Sequence, residues 1–200
     1  NYEAVSTSGT ISNSVVDDAD VTTLSLSASA SVSEGGTITY TASLTNPAET
    51  AMSVTLSNGA VINIIAGASS GNVSVAAPSD DVYIDAGSVS ATIASSSGGN
   101  FESLNTNPAA AATTITDTID TTSVTLSSAT AGSNVTEGGS IVYTATVDHL
   151  VTGTPLVVTL SNGQTITIPV GALSADSAPF NVRADDAYVD ANDNLSVTIT

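Results

Sequence analysis

The chain has 200 residues, nineteen carboxylates against a single arginine, no lysine and a net charge of −18. That balance excludes nucleic acid, whose phosphates need basic partners, and equally an anionic membrane surface. No run approaches the roughly eighteen apolar residues of a helical membrane span, and no membrane insertion is expected. The absence of cysteine removes disulfides, as fits a bacterial exported protein that crosses membranes unfolded. Residue 1 has neither an initiator Met nor a signal peptide after it, and reads as a cut through a longer protein.

An internal repeat organises the rest. Asp80-Asp81-Val82-Tyr83-Ile84-Asp85 returns as Asp185-Asp186-Ala187-Tyr188-Val189-Asp190, Glu34-Gly35-Gly36 as Glu137-Gly138-Gly139, and Ser57-Asn58-Gly59 as Ser161-Asn162-Gly163. Earlier, Asn1-Tyr2-Glu3 matches Asn100-Phe101-Glu102, and Asp17 and Asp20 match Asp117 and Asp120. The unit is therefore about 100 residues, the size of an immunoglobulin-like sandwich. Residues 1–20 are the last strand and linker of a preceding repeat, 21–120 a complete repeat, and 121–200 a repeat lacking its last strand.

In chain order, residues 22–33 read as a Ser/Thr-rich first strand, followed by the Glu34-Gly35-Gly36 turn. The second strand, 37–44, alternates with period two and puts Ile38, Tyr40, Ala42 and Leu44 on one face, which is core. Asn46-Pro47 breaks the run. Residues 52–56 and 61–65 form a hairpin around Asn58-Gly59, a pair that predicts a two-residue type I′ turn with both central residues at positive φ. Strands at 73–76, 89–94 and within 109–116 bring the repeat to about seven. The following repeat copies this with Ile141, Tyr143, Ala145 and Val147, then 157–160, 165–168, 180–182 and 195–199. The predicted class is all-β: tandem immunoglobulin-like Greek-key β-sandwiches.

Because antiparallel strands reverse at each connection, the turns alternate between the two ends of the sandwich. Counting along the chain puts Glu34, Asp80, Asp81, Asp85, Asp117 and Asp120 on one pole, facing the next domain. Glu137, Asp185, Asp186, Asp190 and Asp193 repeat the set, and Asp17, Asp18 and Asp20 form the linker of the first, incomplete unit. These three sets hold fourteen of the nineteen acids. Two unit charges about 4 Å apart repel by about 1 kcal/mol in water and about 4 kcal/mol at an effective dielectric of 20, so converging carboxylates ask for a cation. Calcium accepts six to eight oxygen ligands in tolerant geometry; magnesium demands a stricter octahedron, and zinc wants the His or Cys that are missing here. The plainer alternative is a set of solvated turn residues, but ordinary turns do not bring acids from three segments to one pole twice over. Glu102, by the same count, lies near the preceding linker with a weaker ligand role.

The set Thr-Glu-Gly-Gly-Ser-Ile-Val-Tyr-Thr-Ala (136–145), Val-Thr-Leu-Ser-Asn-Gly (158–163) and Ala-Asp-Asp-Ala-Tyr-Val-Asp (184–190) resembles the tandem immunoglobulin-like extender repeats of giant bacterial RTX-type adhesins of the biofilm and ice-binding kind. The resemblance implies calcium at or near domain junctions, an extracellular place on the bacterial surface, and a role in projecting a ligand-binding tip for attachment. Its partners would be neighbouring repeats of the same chain. A rival reading is a self-assembling filament subunit in which identical chains join end to end by donor-strand pairing. No catalytic function is expected: His149 beside Asp148 is the only histidine, and a triad needs base, orienter and oxyanion donors held together. A carbohydrate-binding module would need exposed aromatics, and the chain has seven Phe and Tyr, several of them in core positions.

Overall fold

A computed structural model describes residues 1–200. It contains seventeen strands and no helix, and it divides into two compact units, Asn1–Ser79 with Ala86–Thr116 and Asp80–Asp85 with Asp117–Thr200.

The first unit opens with residues 1–20 outside any strand and exposed. Its strands are β1 (Val21–Ala28), β2 (Ser31–Ser33), β3 (Thr37–Leu44), β4 (Met52–Leu56), β5 (Val61–Ile64), β6 (Ser70–Ala76), β7 (Gly87–Ala91), β8 (Ile93–Gly98), β9 (Ser103–Thr106) and β10 (Ala111–Thr116). They build three sheets, ordered β6-β3-β1-β9, β5-β4-β8 and β2-β10-β7. Alternation along β3 buries Ile38, Tyr40, Ala42 and Leu44, as its sequence predicts. These meet Met52, Val54 and Leu56 of β4 and Ile62 and Ile64 of β5 in one cluster that also takes in Leu24, Ala91, Ala111 and Ile115. Each fully buried side chain of this size contributes about 1.5–3 kcal/mol, which is how a core with few aromatics holds the sheets together.

Two predicted strands are each divided. The first breaks after Ala28: β1 pairs antiparallel with β3, while β2 runs parallel to β10 in another sheet. Thr92 likewise separates β7, paired with β10, from β8, paired with β4. The last strand expected within 109–116 is β10, and a strand that was not expected, β9, precedes it and runs parallel to β1.

The turn at Asn58-Gly59 differs from expectation. Only Gly59 has a positive φ, of 84°. The Gly59 N–H donates to Leu56 O at 2.9 Å and the Leu56 N–H to Ala60 O at 2.8 Å, so three residues link the strands: a type I turn closed by a glycine in the left-handed region. Asn58 stays at negative φ, and its Oδ1 accepts from the Ala60 N–H at 3.1 Å.

The second unit contains β11 (Val124–Ser128), β12 (Ser140–Ile141), β13 (Tyr143–Val147), β14 (Leu156–Thr159), β15 (Thr165–Ile168), β16 (Ser174–Asp176) and β17 (Phe180–Asn181). They form the sheets β11-β13-β16, β14-β15 and β12-β17. Ile141, Tyr143, Ala145 and Val147 point inward onto Val158, Leu160, Ile166 and Ile168, with Phe180 tilted against Tyr143 at 6.4 Å between ring centroids. The turn at Asn162-Gly163 repeats the first in detail, with Gly163 at φ 84°. Residues 195–199, expected as a strand, contribute only the bridge Ile199↔Leu160. The matching β7 leans on β10, and no strand of the second unit plays that part.

Candidate metal centre

The acidic loop makes the same turn in both copies. Asp81 Oδ1 accepts the Tyr83 N–H and Asp186 Oδ1 accepts the Tyr188 N–H, each at 2.8 Å. A short carboxylate that bonds the backbone two residues on is the ordinary way an Asp sets a turn, so repeated sequence gives repeated geometry. The Glu-Gly-Gly turn is also fastened alike in both. Gly35, at φ 66°, donates its N–H to Pro78 O at 2.7 Å, and Gly138, at φ 71°, donates to Arg183 O at 2.9 Å. A residue with a Cβ would be strained at that φ.

Asp85 and Asp117 belong to the second compact unit, and their carboxylate oxygens lie within 4.8 Å of one another. Asp117 Oδ1 is shut off from solvent and has no hydrogen-bond partner. Leaving a buried acceptor unsatisfied costs about 1–3 kcal/mol, more when it is charged. An all-oxygen donor set with a stranded carboxylate oxygen suits a hard divalent cation such as calcium. Beside it, Asp80 Oδ1 accepts the Thr118 hydroxyl. Glu34 lies in the first unit, buried at the β2–β3 turn, with its N–H on Thr116 O at 3.1 Å.

The second set is arranged differently. Carboxylate oxygens of Glu137, Asp186 and Asp190 lie within 4.8 Å of one another, and Arg183 reaches into them. Its Nε donates to Glu137 Oε1 at 2.8 Å, its Nη2 bonds the same oxygen, and its Nη1 donates to Asp193 Oδ2 at 3.3 Å. Hydrogen bonding to Glu137 raises the Arg183 pKa above its ordinary value; desolvation opposes this, and the charges of Glu137, Asp190 and Asp193 reinforce it.

The remaining predicted acids are more scattered. Asp17 and Asp18 are exposed and outside any strand. Asp20 gives its N–H to Glu102 Oε2 at 2.6 Å, which sets Glu102 beside the preceding linker, where the strand count puts it. Asp120 and Asp185 are exposed. Sequence reasoning missed Arg183 and Thr118 as partners of the acids. The signal for Arg183 was available: a lone cation two residues before the repeated acidic loop.

Asp148 sits elsewhere, accepting the Ser123 N–H at 3.1 Å and standing 3.0 Å from His149 Nδ1. Desolvation pushes its carboxyl upward, but the Ser123 N–H and His149 together outweigh that and hold it below the usual value.

The chain is all-β, and its sequence carries the same acidic loop twice, at 80–85 and at 185–190. The LapA domain matches residues 20–118 and again 120–200, so the chain belongs to the LapA domain family, whose role is adhesin-related and biofilm-associated. Membership puts it with cell-surface or extracellular proteins. No curated protein matches the chain. Among solved structures it is similar to a two-domain protein of unknown function from Bacteroides fragilis, at 10% identity and a TM-score of 0.33, covering 82% of this chain and 87% of that one; at that score the likeness carries no argument.

Proposed function

We propose that this chain is a calcium-stiffened extender region of a large bacterial cell-surface adhesin, built from tandem immunoglobulin-like sandwiches and projecting a ligand-binding tip for attachment or biofilm formation. It is a non-catalytic spacer whose partners are neighbouring repeats. In this reading each repeat covers about 100 residues, with boundaries near 20 and 120. The observation that carries it is Asp117 Oδ1, enclosed and unpartnered, beside the Asp85 carboxylate.

Asp85 and Asp117 would hold the ion, with Asp80 and Asp81 on the same loop adding negative potential. The ion supplies positive charge that turns carboxylate repulsion into attraction. The chain's own residues preorganise the loop: Asp81 fixes its turn through the Tyr83 N–H, and Thr118 ties Asp80 to the segment that follows β10. Locking that segment, 117–120, limits bending along the chain and gives reach. Extracellular modules of this kind bind at about 10⁻⁴ to 10⁻³ M, matched to outside fluids rather than cytosol. Small-angle scattering of the full chain tests this: the maximum dimension should shorten, and its distribution broaden, when a chelator removes calcium, and an unchanged profile would refute the reading.

A further inference from the structure

Arg183 is the only arginine in a chain with no lysine, and it stands among the acids of the second repeat. Besides Glu137 and Asp193, it donates from Nη1 to Ala191 O at 2.9 Å, and its Nε lies 3.7 Å from Asp190 Oδ2. The matching residue of the first repeat is Pro78: each carbonyl accepts the N–H of the first glycine in the Glu-Gly-Gly turn. The two repeats therefore share the turn and the loop acids; Asp117 stands beside Asp85 in the first set, whereas the second gathers Glu137, Asp186 and Asp190 with a cation that is part of the chain.

We propose that Arg183 is a built-in counter-ion that takes the place of the metal in the second repeat, so that this repeat holds its acids together without calcium. The inference rests on the calcium reading for the first repeat and adds that the two repeats answer to calcium differently. A guanidinium offers five donors in a rigid fork matched to carboxylates. Being tethered, it is present at an effective concentration in the millimolar range or above, comparable to the calcium that would have to displace it at such a site. It keeps its charge at any physiological pH, so no ordinary change in acidity releases the acids. Repeats with proline at this position sense calcium, and repeats with arginine stay set.

Native mass spectrometry of the full 200-residue chain across a calcium titration, with thermal melting in chelator, tests this. Arg183→Gln removes the charge, Arg183→Lys keeps it, and Pro78→Arg introduces it into the first repeat. Arg183→Gln is expected to bind one calcium more than wild type and to lose melting temperature in chelator, with recovery in millimolar calcium. Arg183→Lys, which keeps the charge without the fork, should bind no more calcium than wild type, and Pro78→Arg should bind one calcium fewer. If Arg183→Gln and Pro78→Arg bind the same non-zero number of ions as wild type, the counter-ion role is overturned while the calcium reading stands. If none of the proteins binds calcium, both are overturned.

Discussion

Asp85 and Asp117, far apart in sequence, bring carboxylate oxygens within 4.8 Å of one another, and one of the Asp117 oxygens is sealed from water without a partner. Such a pair is destabilising alone and stabilising around a cation. Asp117→Asn is therefore expected to have opposite effects in two buffers. In chelator the variant melts at or slightly above the wild-type temperature, because a buried charge has gone. In saturating calcium it loses the linked stabilisation, about 2.7 kcal/mol when the ion is at a hundred times its dissociation constant. Differential scanning calorimetry with and without calcium reads both signs.

The two loop tyrosines should separate. Tyr83 donates its hydroxyl to Leu150 O at 3.1 Å, whereas Tyr188 is 80% exposed. Tyr83→Phe should cost about 0.5–1.5 kcal/mol of the second unit's stability, and Tyr188→Phe almost nothing. Denaturant melts of the two variants make the comparison, and equal losses would contradict it.

How much of this was legible beforehand follows from what each signal encodes. Period-two alternation names the inward face, so Ile38, Tyr40, Ala42 and Leu44 could be read directly. It does not encode the partner, which is why the switches at Ala28 and Thr92 were invisible: the strands on either side of each break pair in different sheets. Asn58-Gly59 marked the hairpin correctly, yet composition could not decide whether one residue or both would take positive φ, and only Gly59 does. The strand count could gather acids by pole but gave no distances, so the proximity of Asp117 to Asp85 and the insertion of Arg183 beside Glu137 came only with the structure.

Two buried hydroxyls in the first unit suggest a simple gain. Tyr40 Oη and Thr113 Oγ1 are enclosed without hydrogen-bond partners. Thr113→Val keeps the shape and removes the polar atom, and Tyr40→Phe does the same for the ring. Each should stabilise the unit by up to about 1 kcal/mol, because an unsatisfied hydroxyl no longer has to be dried. Thermal melting that falls in both variants would mean the hydroxyls are satisfied in solution.

Asp148 is a source of acid sensitivity. The folded-state pKa of Asp148 is depressed, so its contribution is fully present above the unfolded value, about 3.9, and is lost as the pH falls through the lower folded value. Asp148→Asn should show a shallower stability loss in that window. Denaturant midpoints measured at intervals from pH 6 down to 2 check it, and parallel curves for the variant and wild type would contradict the assignment.

The central claim is that a divalent ion sits on the carboxylates of the first acid set. Crystals of the full chain grown in calcium and soaked with a heavier calcium mimic answer it most directly through anomalous scattering. The account predicts an anomalous peak at bonding distance from Asp85 and Asp117. Well-ordered density for both carboxylates with no peak between them would contradict it.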